Sequence, residues 1–127
     1  MIAVDTSALM AIVLAEPQAD ACIAALKSEN ELLISAGTVA EALLVASRRN
    51  VSAQIASLID GLDFTVVTVT LASARRMSDA YWRWGKGKHP ASLNFGDCFS
   101  YEVAKSNACP LLFVGNDFKR TDIESVL

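Results

Sequence analysis

The sequence predicts an α/β domain in which a central, mostly parallel sheet lies between two layers of helices. Short apolar runs of strand length alternate along the chain with longer segments of helical character. The runs are continuously apolar, which is typical of strands that are covered on both faces. At 127 residues the chain is expected to form a single domain over residues 1–127.

The first half of the chain is predicted to supply two strands and four helices. Met1 to Val4 is an apolar run too short for a helix, and the residues after it, Asp5 to Ser7, suit a helix N-terminus. A second apolar run stops before Gly37, and an Ala- and Leu-rich helix is predicted to begin near Thr38. The elements of this half are a strand at 1–5, helices at about 7–15 and 17–28, a strand at 31–35, and helices at about 38–49 and 51–61.

The second half is predicted to supply two more strands and two helices. One long irregular segment, Gly85 to Ser92, joins the helices. Pro110 to Val114 is again a continuous apolar run, and the turn-forming residues Gly115 and Asn116 follow it. The elements of this half are a strand at 63–69, a helix at about 71–84, a helix at about 96–107, a strand at 110–114 and a short ending.

Four acidic residues fall where a strand ends or a helix begins. Asp5 follows the first strand and Asp117 the last, while Glu41 and Asp97 lie in the first turns of two helices. The carboxyl ends of parallel strands meet at one edge of a sheet, where ligands collect. Neighbouring carboxylates repel one another unless a cation lies among them. Such oxygen ligands suit Mg²⁺ or Mn²⁺, so the pattern predicts a metal-dependent site.

Each acid also has a purely structural interpretation. Asp5 could cap the helix after the first strand, and Asp97 could complement a helix dipole. Thr38 and Glu41 have the spacing of a capping box, which would hold the Glu41 carboxylate at the helix start. Asp117 could serve only its turn. Any one of these explanations is adequate alone, but all four at the same sheet edge favour a site.

Further polar residues near the acids are candidates for supporting roles. Thr6, Ser7 and Asn116 could orient a carboxylate or a metal-bound water, although capping and turn formation explain them equally well. Asp122 lies five residues after Asp117. It could cap the terminal segment, or it could replace or assist Asp117 as a ligand.

Other reaction classes lack residues that they require. His89, the single histidine, stands alone in a Gly/Pro loop, and Ser100 has no histidine near it in sequence, so nothing supports a Ser-His-Asp hydrolase. A haloacid-dehalogenase-type phosphatase needs an Asp two residues after Asp5, where this chain has Ser7. A phospho-acceptor receiver needs an Asp at the end of a middle strand, and neither middle strand ends in one.

The acids and their neighbours form four segments: Asp5-Thr6-Ser7-Ala8, Thr38-Val39-Ala40-Glu41, Gly85 to Tyr101, and Leu112 to Phe118 followed by Thr121-Asp122-Ile123. Together these segments resemble the PIN-domain ribonucleases of the VapC toxin group. The resemblance runs from Met1 to about Ile123, and the order and spacing of the acids agree with it. Its most specific part is the stretch from Gly85 to Asp97.

The resemblance implies a Mg²⁺- or Mn²⁺-dependent endoribonuclease, the toxin of a toxin–antitoxin pair. It implies a dimer that a cognate, VapB-like antitoxin holds inactive. Asp5, Asp97 and Asp117 would hold one or two ions, with Glu41 binding directly or through water, and no side-chain nucleophile is then needed. The alternative interpretation is a catalytically silent PIN-like module that acts only through protein contacts.

The charge distribution agrees with an RNA substrate although the net charge is −3. Arg48 to Lys88 contains seven basic and three acidic residues, a net +4, whereas the rest of the chain carries a net −7. Aromatic and basic side chains alternate between 81 and 89, a composition that can stack bases and neutralise phosphates. Tyr81 and Trp84 share a helix face and are predicted to be core. The predicted RNA contacts are Arg83, Lys86 and Lys88.

Composition also indicates apolar surface for a partner. The hydrophobic fraction is 53%, above the usual range of roughly 45–50%. Ala8 to Leu26 and Ala40 to Ala46 could leave a groove for an antitoxin helix, or could be core or dimer interface. No apolar run approaches the ~20 residues of a membrane span and no targeting segment precedes the first strand, so no membrane contact and a cytoplasmic location are expected.

Overall fold

A computed structural model describes all residues from Met1 to Leu127 and has the predicted order of strands and helices. The strands are β1 (Ile2–Val4), β2 (Leu32–Ser35), β3 (Thr65–Val67) and β4 (Leu111–Leu112). The helices are α1 (Thr6–Val13), α2 (Ala19–Ser28), α3 (Ala36–Arg48), α4 (Ser52–Gly61), α5 (Leu71–Trp84) and α6 (Phe95–Ser106). A short 3₁₀ helix at Phe118–Arg120 was not predicted.

The four strands form one parallel sheet in the order β3-β2-β1-β4. Ala3 of β1 pairs with Leu33 on one side and with Leu111 on the other. The chain adds strands in one direction from β1 to β3 and then returns to place β4 on the far side of β1. The strand order therefore reverses between β1 and β4, which is where open α/β sheets place their ligand crevice.

The sheet separates two apolar cores, and this confirms the predicted three layers. One core of 13 buried residues joins one face of the sheet to α1, α2, α3 and α4. The other, of 12 buried residues, joins the opposite face to α5, α6 and the 3₁₀ helix. Neighbouring residues of β1 enter different cores: Ile2 and Val4 the first, Ala3 the second.

β3 departs from the prediction that every strand is covered on both faces. Thr65 and Val66 are exposed, whereas all residues of β1, β2 and β4 are buried. β3 is the edge strand and pairs only with β2. Apolar sequence alone could not indicate this, because the same run of valines suits a central or an edge strand.

α3 begins two residues earlier than predicted. Ser35 is its N-cap, and the Ser35 hydroxyl accepts a hydrogen bond of 3.1 Å from the Gly37 backbone N–H. Thr38 therefore lies inside the first turn, and the capping box of Thr38 and Glu41 is wrong. The Glu41 carboxylate is left to contact other elements.

The segment from Gly85 to Ser92 is closed at its base. The Leu93 N–H donates to the Trp84 carbonyl at 3.0 Å, and the Lys86 N–H donates to the Leu93 carbonyl at 2.9 Å. This clamp holds the end of α5 beside the start of α6. Trp84 is partly buried as predicted, but Tyr81 is 36% exposed, so the prediction of a core Tyr81 is wrong.

The two apolar stretches considered for an antitoxin groove lie largely in the first core. Their buried members are Ala8, Leu9, Met10, Ala11, Cys22, Leu26, Ala42 and Ala46. Leu43 and Leu44 of α3 remain 44% and 54% exposed. No helix of the chain is both long and apolar enough to cross a bilayer.

Candidate active site

Asp5 leaves β1 and caps α1, and its carboxylate is held by hydroxyl groups. Oδ2 accepts hydrogen bonds from the Ser7 N–H (3.1 Å) and the Ser7 Oγ (2.6 Å), and Oδ1 accepts one of 2.5 Å from Ser100 Oγ. The Ser7 Oγ also accepts a 3.0 Å hydrogen bond from the Val114 N–H beyond β4. Capping is therefore one of several contacts that fix Asp5, which is 4% exposed.

Glu41 reaches from α3 towards the starts of α1 and α6. Its Oε1 accepts a 2.6 Å hydrogen bond from Thr6 Oγ1, the residue that follows Asp5. Its Oε2 lies against the backbone of Gly96, where an added Cβ would overlap it. Burial raises the pKa of Glu41, the Thr6 hydrogen bond opposes this, and the Asp5 charge adds to it. The structure thus brings Glu41 beside both Asp5 and Asp97.

Asp97 lies in the first turn of α6 and forms a capping box with Asn94. Its Oδ2 accepts a 3.0 Å hydrogen bond from the Asn94 N–H, and the Asn94 Oδ1 accepts one of 2.8 Å from the Asp97 N–H. Burial raises the pKa of Asp97 to about 7 although the Asn94 hydrogen bond lowers it, and the charges of Asp5, Asp117 and Glu41 raise it further. Asp97 therefore takes part in capping α6 and also carries a carboxylate whose charged form is disfavoured by its surroundings.

Asp117 stands at the more open side of this cluster. It follows Gly115, whose φ of +110° suits glycine, and precedes the 3₁₀ helix. Both Asn116 and Asp117 are exposed. The Asp117 charge contributes to the raised pKa of Asp97, so its carboxylate lies within electrostatic reach of that acid.

No basic side chain compensates these four carboxylates. The four ion pairs of the chain involve only other acids: Glu29, Glu102 and Asp122. The donors at the site are all oxygens, the chemistry that hard divalent cations prefer. No three His, Cys, Asp or Glu side chains converge on one point as the ligands of a single ion would. An open set of this kind fits an ion that keeps several of its own waters and takes only one or two carboxylates.

Asp122 lies in a different environment. Its Oδ1 accepts a 2.7 Å hydrogen bond from Tyr101 and its Oδ2 one of 3.0 Å from Lys105, with an Arg83 nitrogen 3.9 Å from Oδ2. These partners outweigh desolvation and lower the pKa of Asp122. Tyr101 and Lys105 follow Asp97 by one and two turns of α6, so the structure does not bring Asp122 into the set of uncompensated acids.

The three predicted RNA contacts lie at and after the end of α5. The Lys88 Nζ is 3.8 Å from the centre of the Trp82 ring, and the Arg83 guanidinium is 4.7 Å from that of Trp84. Lys86 lines a groove that adjoins α6. The structure groups the three side chains on one stretch of chain, and all three are exposed.

Two residues at the site were missed by sequence reasoning. Ser100 was considered only as a nucleophile, yet it is 1% exposed, donates to Asp5 and lies 3.2 Å from Thr38 Oγ1. Gly96 was given no role of its own, yet its missing side chain provides the space for Glu41. The only signals for these roles in the sequence were the position of Ser100 about one turn after Asp97 and the position of Gly96 immediately before Asp97.

Comparisons with known proteins identify the family of the chain. The PIN-domain family model matches residues 2–124. Ribonuclease VapC36 of Mycobacterium tuberculosis is 43% identical over 125 residues, which cover 95% of this chain and 90% of the relative. Ribonuclease VapC30 of the same species is 40% identical over 128 residues, covering 97% and 96%.

Solved structures extend the agreement to the fold. The VapC20 toxin of Mycobacterium tuberculosis, described as cleaving the sarcin-ricin loop, has a TM-score of 0.81 at 17% identity and covers 99% of this chain and 98% of its own. A toxin–antitoxin complex from Klebsiella pneumoniae has a TM-score of 0.69 at 14% identity, covering 96% and 93%. With these matches, the chain belongs to the PIN-domain family and, within it, to the VapC ribonucleases, the metal-dependent endoribonuclease toxins of toxin–antitoxin systems.

Proposed function

We propose that Asp5, Glu41, Asp97 and Asp117 form the metal centre of this ribonuclease and that the ion is Mg²⁺ or Mn²⁺, one or two per chain. The observation that supports this most strongly is the set itself: four neighbouring carboxylates without a basic partner, one with its pKa raised to about 7. Uncompensated charge of this kind destabilises a fold unless a cation binds there. When bound, such an ion lowers the pKa of water and neutralises charge on phosphate oxygens.

The chain's own residues orient the acids. Asp5, Asp97 and Asp117 would hold one or two ions, each ion keeping several of its own waters, and Glu41 would bind directly or through a water. Thr6 and Ser7 hold Glu41 and Asp5 by the hydroxyl hydrogen bonds described above.

Two residues after β4 complete the proposed assignment. Asn116 stands next to Asp117 and can bind a water at the open side of the centre. Asp117 rather than Asp122 is the fourth acid, because Asp122 is already paired with Lys105 and Tyr101.

RNA is proposed to approach along Arg83, Lys86 and Lys88. Exposed cations of this kind bind phosphates without reading sequence. Lys88 already rests on the Trp82 ring, so an aromatic surface and a charge are presented together. With two divalent ions bound, the net charge would change from −3 to about +1, which removes the general repulsion of RNA.

The test is cleavage of a mixed total-RNA and tRNA pool by the purified protein in Mg²⁺, Mn²⁺ or EDTA, beside Asp97→Asn prepared identically. Discrete cuts that require the ion and disappear in the variant are expected. Equal cutting by both proteins would show that the observed cleavage does not depend on Asp97. If no RNA in the pool is cut, Mn²⁺-dependent thermal stabilisation decides whether the carboxylates form a site at all.

The proposed partners are a VapB-like antitoxin and a second copy of the chain, in the cytoplasm. The exposed Leu43 and Leu44 of α3 offer an apolar contact for an antitoxin helix. Light scattering across a concentration series tests the dimer, and loss of inhibition by a co-expressed antitoxin in Leu44→Ser tests the α3 contact. An unchanged complex with Leu44→Ser would place the antitoxin elsewhere.

A further inference from the structure

A second concave surface adjoins the candidate active site. It is a groove of about 580 Å³ between α5 and the start of α6. Seven of its ten lining residues are hydrophobic, and three of those are aromatic: Tyr81, Phe95 and Phe99. Nothing in the proposed metal centre uses this groove.

The groove is lined by neighbours of Asp97 at the start of α6. Asn94, which forms the capping box with Asp97, and Cys98, the next residue along α6, both line the groove. One end of the groove therefore lies at the residues that flank Asp97 at the start of α6. When the phosphate of a nucleotide lies at the acids, its base lies no more than one nucleotide's length away. The base can therefore reach this groove.

Phe95 has the properties of a stacking platform. It is 74% exposed, which is unusual for so large an apolar side chain. Its ring is nevertheless fixed edge-on against Phe99, with centroids 5.0 Å apart and planes at 79°. Phe99 in turn packs on Gly37, where an added Cβ would overlap the ring. An exposed aromatic ring held in one orientation binds a base without losing much side-chain freedom.

The polar groups of the groove are few and uncommitted. The Asn94 Oδ1 accepts from the Asp97 N–H, but its amide Nδ2 donates to no group in the chain. The Ser78 hydroxyl makes no hydrogen bond, and the Lys86 ammonium forms no ion pair. A mostly apolar cleft with a few free polar groups is typical of small-ligand sites, and an aromatic ring beside a cation suits single-stranded nucleic acid.

We propose that this groove binds an unpaired nucleobase of the RNA, next to the phosphate at the acids, with the base stacked on Phe95 and a flanking phosphate bound by Lys86. The inference rests on the proposed function, because it takes the acids as the place of cleavage. Stacking accepts any base, so the groove selects unpaired RNA over duplex.

The test compares two fluorescein-labelled probes, an adenosine hexaribonucleotide and an abasic hexamer of the same backbone, by anisotropy on the uncut Asp97→Asn background. Tighter binding of the adenosine probe is expected. Phe95→Ala should weaken binding of the adenosine probe by roughly 5- to 100-fold and leave binding of the abasic probe unchanged. Phe95→Trp should retain binding, Phe95→Leu should behave like Phe95→Ala, and Leu71→Ala, an exposed apolar control outside the groove, should change nothing.

Three results would overturn the inference. They are equal binding of both probes by the protein with Phe95 intact, binding by Phe95→Leu as tight as by Phe95→Trp, or a change from dimer to monomer in Phe95→Ala by light scattering. The last would assign the groove to a second copy of the chain. Metal-dependent RNA cleavage by the protein with its native Asp97 reports on the proposed function separately, so either proposal can fail alone.

Discussion

Asp97 and Asp122 are acids associated with the same helix, α6, in opposite electrostatic environments. Asp97 is nearly buried among three other carboxylates and has a pKa of about 7. Asp122 is bonded to Tyr101 and Lys105, and its pKa is lowered. Basic side chains pair with acids elsewhere in the chain, since Arg76 forms an ion pair with the buried Glu102. None pairs with the four acids.

The difference indicates how an acid proposed to bind a metal can be told apart from one that stabilises the fold. A paired acid such as Asp122 stabilises the fold without a ligand. An acid such as Asp97 costs stability in the free protein and recovers it when a cation binds. Sequence position placed Asp97 among the four acids but left Asp122 open as a cap or a ligand, because each lies in a family segment near a helix or turn boundary.

The largest expected effect is on cleavage. Asp97→Asn should cleave RNA at least roughly 10–100-fold more slowly than the native protein, the loss that follows removal of an outer partner of a metal ligand. The substitution removes the charge of a proposed ligand, whereas the amide oxygen can still accept the Asn94 hydrogen bond. Asp122→Asn should cleave within about 3-fold of the native protein, a change no larger than loss of an exposed ion pair explains. Initial rates on one labelled RNA measure both, and equal losses would contradict the distinction.

Gly96→Ala should reduce cleavage by about 10–100-fold without unfolding the chain. The new Cβ would overlap Oε2 of Glu41 and displace that carboxylate, whereas the helix itself favours Ala over Gly. Gly61→Ala is the matched control, since a Cβ at Gly61 meets nothing within 4 Å. Similar activity of the two variants would show that Glu41 can move without consequence.

Ser100→Ala should reduce cleavage by about 10-fold through the orientation of Asp5, and it should weaken Mn²⁺ binding by a similar factor. The variant removes the 2.5 Å hydrogen bond to Oδ1 and leaves Thr38 without its partner. Ser106→Ala on the same helix is the control, because Ser106 donates to Glu102 instead. A Ser100→Ala protein that is less stable but binds Mn²⁺ normally would limit Ser100 to a structural role.

The smallest expected effect is on the stability of the metal-free protein. The pKa of Asp97 rises from 3.8 to about 7 on folding, so the folded state holds a proton that the unfolded chain has released, and stability falls as pH rises through that window. Asp97→Asn should therefore raise Tm in EDTA at pH 8, by roughly 3–8 °C, and lose this advantage near pH 4.

Asp122→Asn should shift Tm in the opposite direction. The lowered pKa of Asp122 means that its contribution to stability is present at neutral pH and is lost as pH falls through the folded-state value. Thermal melts of the two variants at pH 8 give the signs directly. A lower Tm for both variants would show that other groups of the metal-free protein already compensate the charge of Asp97.

Local sequence pattern predicted most of the fold and pointed to the four candidate acids. Asp5 and Asp117 became candidates because each follows an apolar run, and the order of elements followed from the runs themselves. The start of α3 was misplaced because Ser35 and Thr38 are both good capping residues, and only packing decides between them.

The contacts that organise the site join residues far apart in the chain. Ser100 meets Asp5 across 95 positions, and Glu41 meets Gly96 from another helix. No local pattern encodes such pairs. The pairing of Asp122 with Lys105, 17 positions away, was hidden for the same reason, and so was the contrast with Asp97.

Calorimetric titration of Mn²⁺ into the native protein, Asp97→Asn and Asp122→Asn at pH 8 tests the central claim most directly. The account predicts that the native protein and Asp122→Asn bind Mn²⁺ alike, and that Asp97→Asn binds at least about 10-fold more weakly. Binding of Mn²⁺ to Asp97→Asn as tight as to the native protein would contradict the claim that the uncompensated carboxylates are the metal centre.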